Sequence, residues 1–256
     1  MFDTPQFVTG PFTPRRVFLP DREYGLALDA LVKGCSDVLL VSASGKRVLL
    51  GRRRVEPQPD WWFVGGRSRP GDTTTAAAAR NVKRELGLDF PENRFDVVAN
   101  YSMVWSYRQQ QPSENGTADL STVHSLHLTA EEEEAGVPEL DRKEYHESRW
   151  WDLEDVLGEG DRFHPCLVNA VRALQAKTAY RKLESLASDG GDASDAEDIA
   201  KHAVEFVKAM QEAKSTKRSV KVVFDAEESK YVHEDENKGN EDTAKRQKLD
   251  GDDNEE

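Results

Sequence analysis

Residues 65–88 read GGRSRPGDTTTAAAARNVKRELGL. The run from Thr73 to Leu86 is rich in alanine, the strongest helix former, and reads as a helix. Threonines stand at its start, where a side-chain oxygen caps free N–H groups, and Gly87 stands at its stop. Gly65 and Gly66 lead into it through the loop Arg67 to Asp72, and Trp61-Trp62-Phe63-Val64 runs into the glycine pair. Spacings of three and four residues share a helix face, so Asn81, Arg84 and Glu85 stand together, with Glu85 the one anion among them.

Outward from this segment, short apolar runs alternate with turns. Pro20-Asp21 opens a candidate helix with Tyr24, Leu28, Leu31 and Val32 on one side, ended by Gly34. Val38 to Val41, the Ser44-Gly45 turn and Val48 to Leu50 predict a hairpin. Phe95 to Asn100, Ser102 to Tyr107 and Leu120 to Leu128 are candidate strands, with a polar and mobile loop expected over Gln109 to Ala118. Arg149 to Asp152 reads as a strand, Leu153 to Leu157 as a helical turn and Pro165 to Leu186 as a longer helix. Residues 1–19 read as an irregular arm. Residues 187–233 read as a linker with a short helix, on which Ile199, Ala203, Phe206, Val207 and Met210 recur at helical spacing, and a short strand, Ser219 to Phe224.

The chain has 256 residues, 35 of them Lys or Arg and 48 Asp or Glu, for a net charge of −13. Residues 189–256 hold 20 acids and 11 bases, so 28 acids and 24 bases remain in residues 1–188. The acidity belongs mostly to an appendage. Its last part, residues 234–256, lacks aromatics and is expected to be disordered, because it buries too little surface to offset chain entropy. The overall charge argues against a nucleic-acid coat or an anionic-membrane binder. No apolar run approaches the ~20 residues that span a bilayer. Residues 1–10 do not resemble a secretory signal, and two cysteines, Cys35 and Cys166, make no disulfide framework. The expectation is an intracellular protein, cytoplasmic or nuclear. The cluster Lys245-Arg246-Gln247-Lys248-Leu249 resembles a monopartite nuclear import signal, which would make an import receptor a partner; such clusters also arise by chance in charged tails.

The glycine loop and helix of residues 65–88 resemble the Nudix box, with Val64 where that family usually has proline. The resemblance implies a Nudix-type α/β/α sandwich with a mixed sheet over residues 20–186. It also implies a magnesium ion and a nucleoside diphosphate derivative as ligands. Magnesium wants hard oxygen ligands, and a glycine loop at a helix start places backbone groups beside phosphates. The usual glutamates at positions 81 and 84 are missing, and Arg84 should weaken a second metal site by repulsion. Residues 49–67, LLGRRRVEPQPDWWFVGGR, together with the box are similar to the GDP-mannose mannosyl hydrolase branch, whose box also lacks the first two helix glutamates. That similarity runs loosely from residue 20 to residue 175.

Carried over residue by residue, the resemblance gives Glu85 and the Gly66 carbonyl to the metal. Arg67 and Arg53 brace the diphosphate, Asp37 matches an acidic residue before the first strand, and His146 is the general base. One of Trp61 and Trp62 should lie in the core and the other near the cleft, where Trp62 is a candidate for stacking on a base. Tyr145 stands where that branch has a glutamine ligand, so Glu144, Glu147 or a water would have to replace it. Apart from the resemblance, His146 reads as an exposed loop residue and Arg52 to Arg54 as surface charge.

The expected activity is magnesium-dependent hydrolysis of a nucleoside diphosphate sugar, GDP-mannose-like, releasing GDP and free sugar by attack at the anomeric carbon. One alternative is cleavage of the diphosphate to a nucleoside monophosphate and a sugar phosphate. The other is a catalytically weak nucleotide-binding or partner-binding module, favoured by Asn81, Arg84 and Tyr145. The resemblance also implies a homodimer.

Overall fold

The computed structural model describes residues 4–15, 17–188, 196–214 and 219–233. The expected disordered tail at 234–256, its basic cluster and the first part of the linker lie outside the described residues.

The elements run α1 (Asp21–Ala30), β1 (Lys33–Val41), β2 (Arg47–Arg53), β3 (Trp61–Trp62), β4 (Val64–Arg67), α2 (Thr74–Leu86), β5 (Asp96–Trp105) and β6 (Thr117–His127). Then come α3 (Ala130–Glu134), β7 (Tyr145–Asp152), α4 (Leu153–Gly158), α5 (Pro165–Ser188), α6 (Ala196–Ala213), β8 (Val222–Asp225) and β9 (Lys230–His233). Strands β1 to β7 form one mixed sheet. Its spine is the order β3-β2-β1-β6-β5, with β1 and β6 parallel and the other pairs antiparallel. β1 and β2 share only Leu40–Leu49 and Val41–Val48 before they diverge. The segment Trp61 to Arg67 fills the gap: β3 pairs with β2, and β4 pairs with β1. This wedge carries the glycine pair into the middle of the sheet.

Side-chain alternation sorts the core into two layers. Val38, Leu40, Leu49 and Val64 face α2 and meet its Ala78, Val82 and Leu86. Leu39, Val41, Val48 and Leu50 face the other way and meet Val156 of α4 and Leu167, Val171 and Leu174 of α5. Helices therefore cover both faces of a mixed sheet, the α/β/α sandwich expected. Among the described residues no helix is long and apolar enough to cross a membrane.

Several local expectations are corrected. Gly34 does not stop α1. That helix closes at Leu31, and Gly34 lies within β1, where the parallel ladder to β6 begins at Lys33–Asp119. Leu31 and Val32 are exposed as a result. The two strands expected between Phe95 and Tyr107 are one, β5, because its ladder with β6 continues past a register shift between Val97 and Ala99. The 109–118 loop is anchored. Arg108 donates to Asp29 at 2.6 Å, a 3-10 turn spans Ser113–Asn115, and β6 already starts at Thr117. The helix after residue 187 is eighteen residues long, and Asn169 donates to the Ala213 carbonyl at its end. Neither α3 nor β9 was foreseen. The β8–β9 hairpin docks through Tyr231, whose backbone N–H donates to Asp161 O.

Candidate active site

The layer of the sheet that faces α5 changes character along β1 and β6. Leu39, Val41 and Val123 are core. Toward the other end the same-face positions are Lys33, Cys35 and Asp37 on β1 and Asp119 and Ser121 on β6, in matched register. Apolar packing stops there, and a cleft of about 210 Å³ opens. Asp37, Arg53, Trp62, Gly66 and Arg67 all line it, as do Arg84 and Glu144.

Local chemistry fixes the glycine loop. Thr73 Oγ1 accepts from Ala76 N at 2.9 Å and caps α2, while Gly87 closes it with φ of 69°. Arg80 braces the loop, donating to Asp72 at 2.7 Å and to Arg67 O at 3.1 Å. Close approach requires glycine at position 65, and backbone conformation favours it at position 66. A Cβ on Gly65 would collide with Asp37 Oδ1, and one on Gly66, whose φ is 151°, would lie 2.9 Å from Arg84 Nη2.

On the helix face of Asn81, Arg84 and Glu85, the first two donate to this loop and Arg84 also to Glu85. Asn81 Nδ2 donates to Gly66 O at 2.9 Å and to Ser36 O at 3.1 Å. Arg84 donates from Nε and Nη2 to Glu85 Oε1, at 2.9 and 2.5 Å, and from Nη2 to Gly65 O at 3.0 Å. The Glu85 side chain is 3% exposed and that of Arg84 49%. Burial raises the Glu85 carboxyl above its ordinary value, and the Arg84 guanidinium opposes that rise.

Asp37 lies in the cleft as a buried carboxyl, accepting from Ser121 Oγ at 2.5 Å. Burial pushes its pKa up to about 6, against the lowering effect of Ser121 and Arg53. Asp119 lies near, paired with Lys33 at 3.0 Å and accepting from Trp105 Nε1 at 2.9 Å. Both Trp61 and Trp62 are buried, so neither ring is free of the core. Trp62 also lines the cleft, held edge-to-face by Trp105 and His164. Arg67 stacks over Tyr24 of α1 at 5.0 Å.

Two expected site residues stand apart. Glu85 is buried against Arg84 and does not line the cleft. His146 is exposed and also outside the cleft lining. Its neighbour Tyr145 turns inward on β7 and packs against Gly51, where any Cβ would meet the ring at 2.7 Å. Burial pushes the Tyr145 phenol up, so it stays neutral. Glu147 pairs with Arg52 at 3.6 Å, both half exposed, while Glu144 lines the cleft. Residues the sequence reading missed are Lys33, Arg108 and Asp119, and Asn81 and Arg84 as donors. The polar alternation Lys33-Cys35-Asp37 and Asp119-Ser121 was a signal for the first group, because it interrupts two otherwise apolar strands.

A helix-flanked mixed sheet, wedged open by a glycine loop beside an arginine-lined cleft, defines an α/β/α domain with a cleft suited to an anionic ligand. The chain matches the NUDIX domain over residues 35–173, more than half its length, and belongs to that family of hydrolases. Solved structures of similar fold include a MutT protein from Methanosarcina mazei, with 18% identity, 57% of this chain and 95% of that chain covered, and a TM-score of 0.44. A C. elegans Ap4A hydrolase shares 16% identity over 58% of this chain and 99% of its own, with a TM-score of 0.39. A NUDIX hydrolase from Nitrosomonas europaea shares 15% identity over 57% and 90%, with a TM-score of 0.42.

Nudix hydrolases generally use divalent metal ions. The residues of this chain do not fit one. One carboxylate oxygen of Glu85, Oε1, and both glycine carbonyls already accept N–H donors from Arg84 and Asn81. Among the described residues no group of three His, Cys, Asp or Glu side chains could hold a metal ion.

Proposed function

We propose that the cleft binds a nucleoside diphosphate sugar, GDP-mannose-like, and hydrolyses it at the sugar. The observation that carries this reading is the convergence of Arg53, Arg67 and Arg84 with the glycine loop on one cleft that also contains the Asp37 carboxyl. The arginines hold the diphosphate through charge-assisted hydrogen bonds. Trp62 and Trp105 offer apolar wall to the rest of the ligand. Water attacks the anomeric carbon. The carbon–oxygen bond to the diphosphate breaks, its electrons stay on the departing diphosphate, and the proton of the water passes to Asp37. Asp37 takes the role of base because it lies in the cleft and His146 does not. The magnesium expected from the resemblance has no step here, since Arg84 stands between Glu85 Oε1 and the glycine loop.

A panel of nucleotide sugars followed by phosphorus NMR tests this. The expected product is a nucleoside diphosphate with free sugar. A monophosphate with sugar phosphate would establish attack at phosphorus instead. Binding without turnover would make the domain a nucleotide-binding module, a reading that the Arg84–Glu85 ion pair specifically favours. Asp37→Asn should slow turnover by roughly 10²–10⁴-fold, and wild-type kcat/KM should rise with pH through about 6. His146→Ala should leave the rate nearly unchanged; a loss comparable to that of Asp37→Asn would return the base to His146.

A further inference from the structure

We propose that the Arg84 guanidinium takes the place of the divalent cation, so that this cleft binds its diphosphate without metal. The inference rests on the nucleoside diphosphate reading above.

The argument begins with acceptors. A carboxylate on α2 and the glycine-loop carbonyls present lone pairs to one another. Such an arrangement is stable only with something positive or N–H-bearing between them. With carboxylates at positions 81 and 84 the gap would need a cation. Here Asn81 bridges it with an amide hydrogen bond to Gly66 O, and Arg84 bridges it with hydrogen bonds to Gly65 O and Glu85. The two substitutions therefore act together. Each would leave an acceptor short of a donor without the other, and jointly they supply Gly65 O, Gly66 O and Glu85 Oε1.

The guanidinium also has capacity left over. Its Nε and Nη2 serve the protein, while Nη1 makes no hydrogen bond among the described residues, and the side chain is half exposed at the cleft. Arginine stays charged at every working pH, and the two N–H groups of Nη1 remain to donate to phosphate oxygens. Anchoring of the other two nitrogens by a buried carboxylate and a carbonyl holds Nη1 in place before the ligand arrives. An entering magnesium ion would have to strip Arg84 from the buried Glu85 and then share the loop with a displaced like charge.

The test uses the full chain, with GDP as the probe, titrated by calorimetry in excess EDTA and again in excess magnesium. The expected dissociation constants agree within about threefold. Arg84→Gln should weaken GDP binding about tenfold or more, and Arg84→Lys, which keeps the charge and loses the guanidinium, should fall between. Thermal melts establish that each variant is folded, and Arg84→Lys keeps the question answerable if Arg84→Gln is not. The double change Asn81→Glu with Arg84→Glu should acquire Mn²⁺ binding, seen by EPR, and make GDP binding depend on metal. GDP binding by the wild type that requires magnesium, or stoichiometric Mn²⁺ binding by the wild type, overturns the inference and leaves the diphosphate reading standing. No GDP binding under either condition overturns both.

Discussion

Asp37 carries an energetic conflict that can be measured directly. Its carboxyl is fully buried, and its folded pKa of about 6 lies above the ordinary 3.8. The folded state therefore binds a proton more tightly than the unfolded chain. The stabilisation from this linkage is complete below pH 3.8 and is lost as pH rises through about 6, a difference on the order of 3 kcal/mol. Asp37→Asn removes the titration. Chemical denaturation should show the variant gaining on the wild type between pH 4 and pH 6 and holding that lead at pH 8. A constant difference across that range would place the shift elsewhere. A residue kept at such a cost, against Gly65 with no room for a Cβ, is what a functional carboxyl looks like.

Among the elements, α2 was legible because its instructions are local. Thr73 and Gly87 cap it, alanines fill it, and the glycine pair is adjacent in sequence. Thr73→Ala should cost about 1 kcal/mol in equilibrium unfolding by removing the bond to Ala76 N. The wedge of β3 and β4 was legible only as a run into glycines, since its pairing with two different strands is set at long range. The same limit hid β9, four residues long, whose partner β8 lies just before it but whose docking site at Asp161 is far away in sequence. Arg84 was read as a charge that weakens a metal site. Its contacts depend on which carbonyls face it, and spacing on a helix does not reveal that. Glu85 and His146 show the converse: motif spacing located them, and packing then buried one and left the other outside the cleft.

At the scale of the molecule, the family match ends at residue 173, but the packing behind the cleft does not. Trp62 rests edge-to-face on His164, and His164 rests on Tyr231 of β9. The Tyr231 hydroxyl accepts from Gln58 at 2.5 Å and donates to Asp60 at 2.9 Å. Tyr231→Phe should lower stability by about 1–3 kcal/mol, the loss of two hydrogen bonds with Gln58 left buried. Removing residues 234–256 should leave the melting temperature unchanged, whereas removing residues 219–256 should lower it and weaken nucleotide binding. Equal effects of the two truncations would show that the hairpin does not support the wall.

The position of Tyr231 also gives the protein a schedule. Chains emerge vectorially at roughly 5–20 residues per second, so this tyrosine follows residue 173 by about 3–12 seconds. During that interval His164 and the Gln58–Asp60 loop lack their cover, and the newborn sandwich presents an aromatic face to whatever chaperone attends it.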